Sequence, residues 1–392
     1  MNTAPFWPLS ANNWTDEERT AAIEVINSGQ VTMGSRVREF EEAFAEKVGA
    51  KYAVMTNSGS SANLLMVAAL CARWGKGLNH GYEAIVPAIA WSTTYAPLMQ
   101  HGFKLSVVDV NLATLNTTPE QVIAAVGRDT RLVMGVSILG NPAPLSTLNN
   151  ICKSLGLWFL EDNCESFGAT LHGQPCGTYG KMSTFSTFFS HHLNTVEGGV
   201  LVTDDERFYH LALCLRAHGW TRDLPEGSNL LPLQRKKDPL PTDYEFLMPA
   251  YNVRPTEIAA AVGLVQLRRS GEMNQIRKNN AQHFHEIFDN DPRFITQKSI
   301  PGAVATPFGF TLICQSHRAR SHYSKKMQEA GIAHRLPTGG SFSQHPAAAY
   351  YNYEFPLEGT PNADRAHTCG FFVGNHPFDL TQQIDKLREV LS

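Results

Sequence analysis

From about residue 36 to residue 215, short β-rich runs alternate with helical ones, and few architectures accommodate that alternation. The strand-like runs are Tyr52–Thr56, Ala84–Pro87, Lys104–Val110, Leu132–Leu139, Leu157–Glu161, Ser183–Phe188 and Gly199–Thr203. Helical patterns fall between them at about 60–73, 92–101, 118–126 and 145–155. Strands that alternate with helices predict an α/β domain around a mostly parallel sheet. Upstream, Thr15-Asp16-Glu17-Glu18 forms a capping box that opens a helix, with Ile23, Val25 and Ile26 at roughly helical spacing. Downstream, the segment 224–250 is rich in Pro and charge around Lys236-Lys237-Asp238-Pro239 and reads as a long loop. A long helical pattern then runs from about 255 to 289, its first turn primed by Pro255. The remainder mixes strand (Phe308–Cys314) with helix (about 319–330 and 380–391). The expected organisation is an N-terminal arm and helix over 1–30, a large domain over 31–254, a connecting helix over 255–289 and a small α+β domain over 290–392.

Composition narrows the function. The 392 residues carry 33 basic and 36 acidic side chains, a net charge of -3, with no basic block of the kind a phosphate backbone demands; nucleic-acid binding is not expected. No apolar run reaches the ~18 residues of a membrane span, and Met1-Asn2-Thr3-Ala4-Pro5 does not read as a secretory signal. The seven cysteines, at 71, 152, 164, 176, 214, 314 and 369, are odd in number and contain no CxxC. Reduced thiols in a cytoplasmic protein are expected, rather than a disulfide framework or a zinc site.

Four segments carry chemistry. Ser58-Gly59-Ser60 lies between a strand and a helix, where free N–H groups and the helix dipole bind phosphate; it reads equally well as a plain helix cap. Asp162, in Glu161-Asp162-Asn163-Cys164-Glu165-Ser166, is placed at the C-terminal end of a strand, where open α/β sheets bind ligands. A carboxylate there can hold a protonated pyridine nitrogen, the partner a pyridoxal cofactor needs; an N-cap is the other reading. In Ser186-Thr187-Phe188-Phe189-Ser190-His191-His192, the adjacent histidines point to opposite sides of an extended segment, so one task for both is not expected. As metal ligands they lack further partners at usable spacing. Trp91 follows a strand and could lie on a planar ring or in a core.

The order of these segments, ending in Glu197-Gly198-Gly199, resembles the sugar aminotransferase family of pyridoxal-phosphate enzymes, with the fold type I (aspartate aminotransferase) architecture. In most members a lysine six residues before the Glu of Glu-Gly-Gly tethers the cofactor; here that position is His191, and no lysine lies between Lys181 and Lys236. A Lys-to-His change of this kind marks the family's sugar 3-dehydratases. Further similar segments are Trp91-Ser92-Thr93-Thr94-Tyr95, Leu139-Gly140-Asn141-Pro142, Arg216 to Arg222, Tyr251 to Pro255 and Phe372 to His376. The resemblance implies pyridoxal or pyridoxamine 5'-phosphate held non-covalently, and loss of the C3 hydroxyl from a GDP-linked 4-keto-6-deoxy sugar. L-Glutamate is then the amino donor and ammonia is released. It implies His191 as the base, and Gly59, Ser60 and Ser186 at the cofactor phosphate. Asp162 falls at the ring nitrogen, Trp91 on the ring and Glu165 near its hydroxyl. Asn252 reaches the phosphate of a neighbouring subunit in a homodimer with shared sites, and His218 and Arg222 line the sugar-nucleotide side. The cysteines lack the C-x-C pair of the iron–sulfur relatives, so no reductase partner is expected. A sugar-nucleotide 4-aminotransferase, or a dehydratase for a CDP- or dTDP-linked sugar, is the competing reading. A binding protein without chemistry and a metal-dependent hydrolase are weaker ones. The polar stretch 335–344 is a further candidate for substrate contact.

Overall fold

The computed structural model describes residues 5–72, 77–78, 81–230 and 245–392. Most of the segment expected to be a long loop, including Lys236 to Pro239, lies outside the described residues.

Helix α1 (Asp16–Ser28) opens on the expected capping box, Thr15 with Glu18. Helix α2 (Ser35–Val48) follows, then β1 (Tyr52–Thr56), α3 (Gly59–Cys71), β2 (Glu83–Pro87), α4 (Ser92–Gln100), β3 (Lys104–Val108), α5 (Pro119–Ala125), β4 (Thr130–Val136), α6 (Leu145–Leu155) and β5 (Trp158–Asp162). Strands β6 (Met182–Ser186) and β7 (Gly199–Thr203) and helix α7 (Glu206–Arg216) complete this part. Beyond it come α8 (Glu257–Phe288), β8 (Phe294–Thr296), β9 (Gly309–Cys314), α9 (His317–Glu329), β10 (Tyr353–Glu354), α10 (Pro361–Cys369), β11 (Gly370–Gly374) and α11 (Thr381–Leu391).

The eight-stranded main sheet has the order β1-β7-β6-β5-β4-β2-β3-β10. All pairings are parallel except those of β7 with β1 and β6. The C-terminal ends of β1, β5 and β6 therefore meet at one edge. The register seats Gly199 between Thr56 and Ser186, and Asp162 between Val136 and Thr184.

Helix α8 spans two apolar clusters. Its first half buries Ala260, Leu267 and Met273 against Phe40 and Phe44 of α2 and Phe185 of β6. Its last turns bury Phe284 and Phe288 with Phe310, Leu312 and Phe371 around the smaller sheet β8-β9-β11. Each such phenyl contributes about 1.5–3 kcal/mol by leaving water. Trp7 of the N-terminal arm is fully buried in this second cluster, and its indole N–H donates to Gly374 O at 2.9 Å. Strand β10, from the C-terminal region, pairs with β3 at the edge of the main sheet.

Two local expectations differ from the structure. The apolar run Leu132–Leu139 is strand only to Val136. Leu139 takes a left-handed φ of 55° in a short 3-10 turn, and its N–H donates to Glu165 at 2.8 Å. On α1 only Val25 of the three aliphatic positions is buried; Ile23 and Ile26 are exposed. The inward stripe runs through Glu18 and Val25, seven residues apart, because the buried Glu18 carboxylate bonds Gln266 and Arg269 of α8 and so sets the helix rotation. No helix among the described residues is long and apolar enough to cross a membrane.

Candidate active site

A cavity of about 320 Å³ opens at the shared strand edge. Its walls include Gly59, Ser60, Trp91, Asp162, Glu165, Ser186 and His191, seven residues that the sequence marked in separate segments.

The floor is a turn at a helix start. Ser58 caps α3 by accepting from Ser61 N at 3.0 Å, which leaves the first-turn N–H groups of Gly59 and Ser60 without an intrahelical partner. Ser60 Oγ lies 2.8 Å from Thr93 Oγ1. Close approach explains two glycines. A Cβ on Gly59 would fall 2.7 Å from Ser186 Cβ and 2.9 Å from Cys164 Sγ; one on Gly199 would fall 2.3 Å from Ser58 O. The Glu-Gly-Gly signal thus has a mechanical cause: β7 must enter the sheet directly against the Ser-Gly-Ser turn. Gly59→Ala is expected to destabilise by about 1–3 kcal/mol through overpacking. Thermal melting checks it.

Asp162 ends β5 with its carboxylate buried at the cavity. Oδ2 accepts from Asn63 Nδ2 at 2.8 Å and from Thr94 Oγ1 at 2.7 Å; Oδ1 accepts from Cys164 N at 3.1 Å. Asn63 is itself oriented by Thr184 Oγ1, which donates to its Oδ1 at 2.6 Å. Its neighbour Glu161 points the other way, as strand alternation requires. It accepts from Gly177, Tyr179 and Gly180 N–H at 2.8, 2.7 and 2.5 Å and pins that turn. One carboxylate of the motif is therefore structural and the other faces the site.

Glu165 accepts from Leu139 N and from Thr338 Oγ1 at 3.1 Å. Burial pushes its carboxyl up to about 7, against the pull of those donors and of Arg335. At neutral pH it can hold or release a proton.

The two histidines separate as expected. His192 is buried and bonds Thr306 O at 2.6 Å. His191 lines the cavity, its ring stacked on Phe308 at 5.3 Å with Ser190 Oγ 3.4 Å from Nδ1. Burial, then Arg335 and Arg277, pull its pKa down to about 4, so the imidazole is neutral at pH 7 and able to accept a proton.

Sequence reading missed Asn63, Thr94, Phe308 and the role of Arg335. Arg335 lines the cavity with its guanidinium 5.5 Å over the Trp91 ring and 4.9 Å over Phe372. It lies in the polar stretch 335–344, but no local pattern tied it to Trp91. His218, Arg222 and Asn252 are not in this cavity. All three are exposed; the His218 ring lies 5.0 Å and Arg222 5.5 Å from the Trp220 ring. Asn252 bridges to Ala217 in backbone pairing and accepts from Arg254 Nε at 3.1 Å. All seven cysteines are free, and among the described residues no cluster of His, Cys, Asp and Glu could hold a metal.

The fold is that of the fold type I pyridoxal-phosphate enzymes. The chain belongs to the DegT/DnrJ/EryC1/StrS aminotransferase family, whose profile matches residues 12–389. It is 41% identical over 388 residues to the GDP-4-keto-6-deoxy-D-mannose 3-dehydratase of Yersinia pseudotuberculosis, covering 98% of each. Among solved structures it is similar to a GDP-4-keto-6-deoxymannose-3-dehydratase variant with bound GDP-perosamine, at a TM-score of 0.94 and 40% identity over 98% of this chain and 100% of that one. The same score, identity and coverage hold for a GDP-4-keto-6-deoxymannose-3-dehydratase with a trapped PLP-glutamate geminal diamine.

Proposed function

We propose that this chain is a pyridoxal-phosphate-dependent dehydratase that removes the C3 hydroxyl of GDP-4-keto-6-deoxy-D-mannose, using L-glutamate as amino donor. The product is GDP-4-keto-3,6-dideoxy-D-mannose, and ammonia and 2-oxoglutarate are released. The observation that carries the reading is an imidazole, His191, in the cavity wall where the family's tethering lysine is expected, with no lysine among the described lining residues. Full-length likeness to dehydratases that act on this sugar supports it.

The residues present fit the cofactor. The Gly59 and Ser60 N–H groups and the Ser186 hydroxyl hold its phosphate non-covalently, Trp91 covers the ring, and Asp162 keeps the ring nitrogen protonated. Glu165, poised near neutrality, exchanges a proton with the ring hydroxyl. When bound, the group supplies an amine for the C4 ketone and a ring that takes up electron density. His191 takes the proton from the cofactor's C4′ carbon and returns it to the departing C3 oxygen. Arg335, the guanidinium in the wall, binds the glutamate carboxylate.

The chain works as a homodimer with shared sites. The exposure of all three residues supports this: Asn252 reaches the phosphate in the neighbouring site, and His218 and Arg222 line its sugar-nucleotide side.

The test is mass spectrometry of the product from GDP-4-keto-6-deoxymannose, glutamate and cofactor, with ammonia measured alongside. The expected product is lighter by one oxygen atom, with ammonia and 2-oxoglutarate in equal amounts. A product that keeps the glutamate nitrogen, without free ammonia, makes the chain an aminotransferase instead.

A further inference from the structure

We propose that Arg277 is a positioning residue for His191: it holds the backbone carbonyl of His191 and keeps a buried positive charge beside the histidine loop. The proposal rests on His191 as the proton carrier.

Arg277 lies in α8 and is 2% exposed. A buried guanidinium is normally matched by a carboxylate, as Arg216 is by Glu41 at 2.5 Å. Among the described residues Arg277 has no ion pair. Nη1 donates to Asn375 O and Nη2 to His191 O at 3.3 Å, while Nε has no partner. Burial pulls its pKa down to about 9, which leaves it charged at neutral pH. A charge that expensive to bury, and spent on two carbonyls, is not explained by packing.

The surrounding bonds hold it rigidly. Asn375 Nδ2 donates to Arg277 O at 2.9 Å and to Pro307 O at 2.7 Å, and Asn280 Nδ2 donates to Asn375 Oδ1 at 3.1 Å. Pro307 precedes Phe308, the ring on which His191 stacks. One cluster therefore ties down both the backbone of His191 and the platform beneath its imidazole. This also gives a role to Asn375 in the Phe372–His376 segment.

The groups facing His191 come from several elements. Arg335 and Arg277 disfavour its protonation, and His192 adjoins it. Asp162, Glu165 and Glu197 share the cavity wall. Arg335 is placed on substrate and changes partner during the cycle; Arg277 is sealed and constant. It supplies the steady part of the field.

The experiment follows the His191 ring by NMR titration in the holoenzyme, assigned with His191→Asn, together with the pH profile of kcat. In Arg277→Met the midpoint of His191 is expected to rise by roughly one pH unit. In Arg277→Lys it stays near that of the parent, while kcat falls about tenfold or more because an ammonium lacks the fork that reaches two carbonyls. An unmoved midpoint in the Met variant overturns the proposal. Should that variant not fold, Arg277→Lys decides alone: parental kcat there also overturns it. If the midpoint moves as expected but the acidic limb of kcat does not follow, Arg277 stands as described and His191 loses its role as base.

Discussion

Replacing His191 with asparagine is expected to lower dehydration by about 10²–10⁴-fold, the usual contribution of a positioned acid–base group. Cofactor affinity should change little, since the phosphate turn and Asp162 are untouched. Asparagine approximates the shape but cannot carry a proton. Single-turnover ammonia release from enzyme loaded with pyridoxamine phosphate measures the effect, and a rate within fivefold of the parent would remove His191 from the mechanism. The companion change His191→Lys should trade one chemistry for another. Arg335 and Arg277, which depress His191, would also favour the neutral, nucleophilic form of an amine placed there. A covalent cofactor adduct, fixed by borohydride and seen as a mass increase, is the expected sign.

Asp162→Asn is the second large effect. The carboxylate that keeps the ring nitrogen protonated becomes neutral, and the electron sink weakens. A loss of about 10²–10³-fold in turnover is expected, comparable to removing one preorganised electrostatic group. Local hydrogen bonding adds to the damage. Asn63 Nδ2 and Thr94 Oγ1 both donate to Asp162 Oδ2, so an amide nitrogen in that place sets donor against donor. Turnover under saturating cofactor checks the prediction; unchanged kcat would move the ring-nitrogen role elsewhere.

How far the sequence announced all this depends on the range of the interaction. Strand β7 ends where the apolar run Gly199–Thr203 ends, because a strand buried on both faces is written as a continuous apolar stretch. The run that contains β4 outlasts its strand, since the apolar Leu139 serves a left-handed turn that only Glu165, 26 residues away, explains. Ile23 and Ile26 matched a helical period yet face outward, since rotation of α1 is set by a buried acid rather than by its aliphatic side chains. Strand β10, two residues long, carries no periodic signal at all. In the site, the residues that contact the cavity from strand ends were legible, because strand-end position and residue type together suggest a role. Asn63, Phe308 and Arg277 were not, and Arg335 was legible only as part of the polar stretch 335–344. Each acquires its task only when segments far apart in the chain meet, as Asn63 and Asp162 do across a separation of 99.

The buried Trp7 has a bearing on how the protein is made. Its indole bonds a carbonyl 367 positions later in the chain. At the usual pace of ribosomal synthesis, about 5–20 residues per second, the arm waits roughly 20–70 s for that acceptor to be polymerised. Until then the indole N–H lacks its acceptor on the nascent chain. An indole made early is thus held by a partner made late.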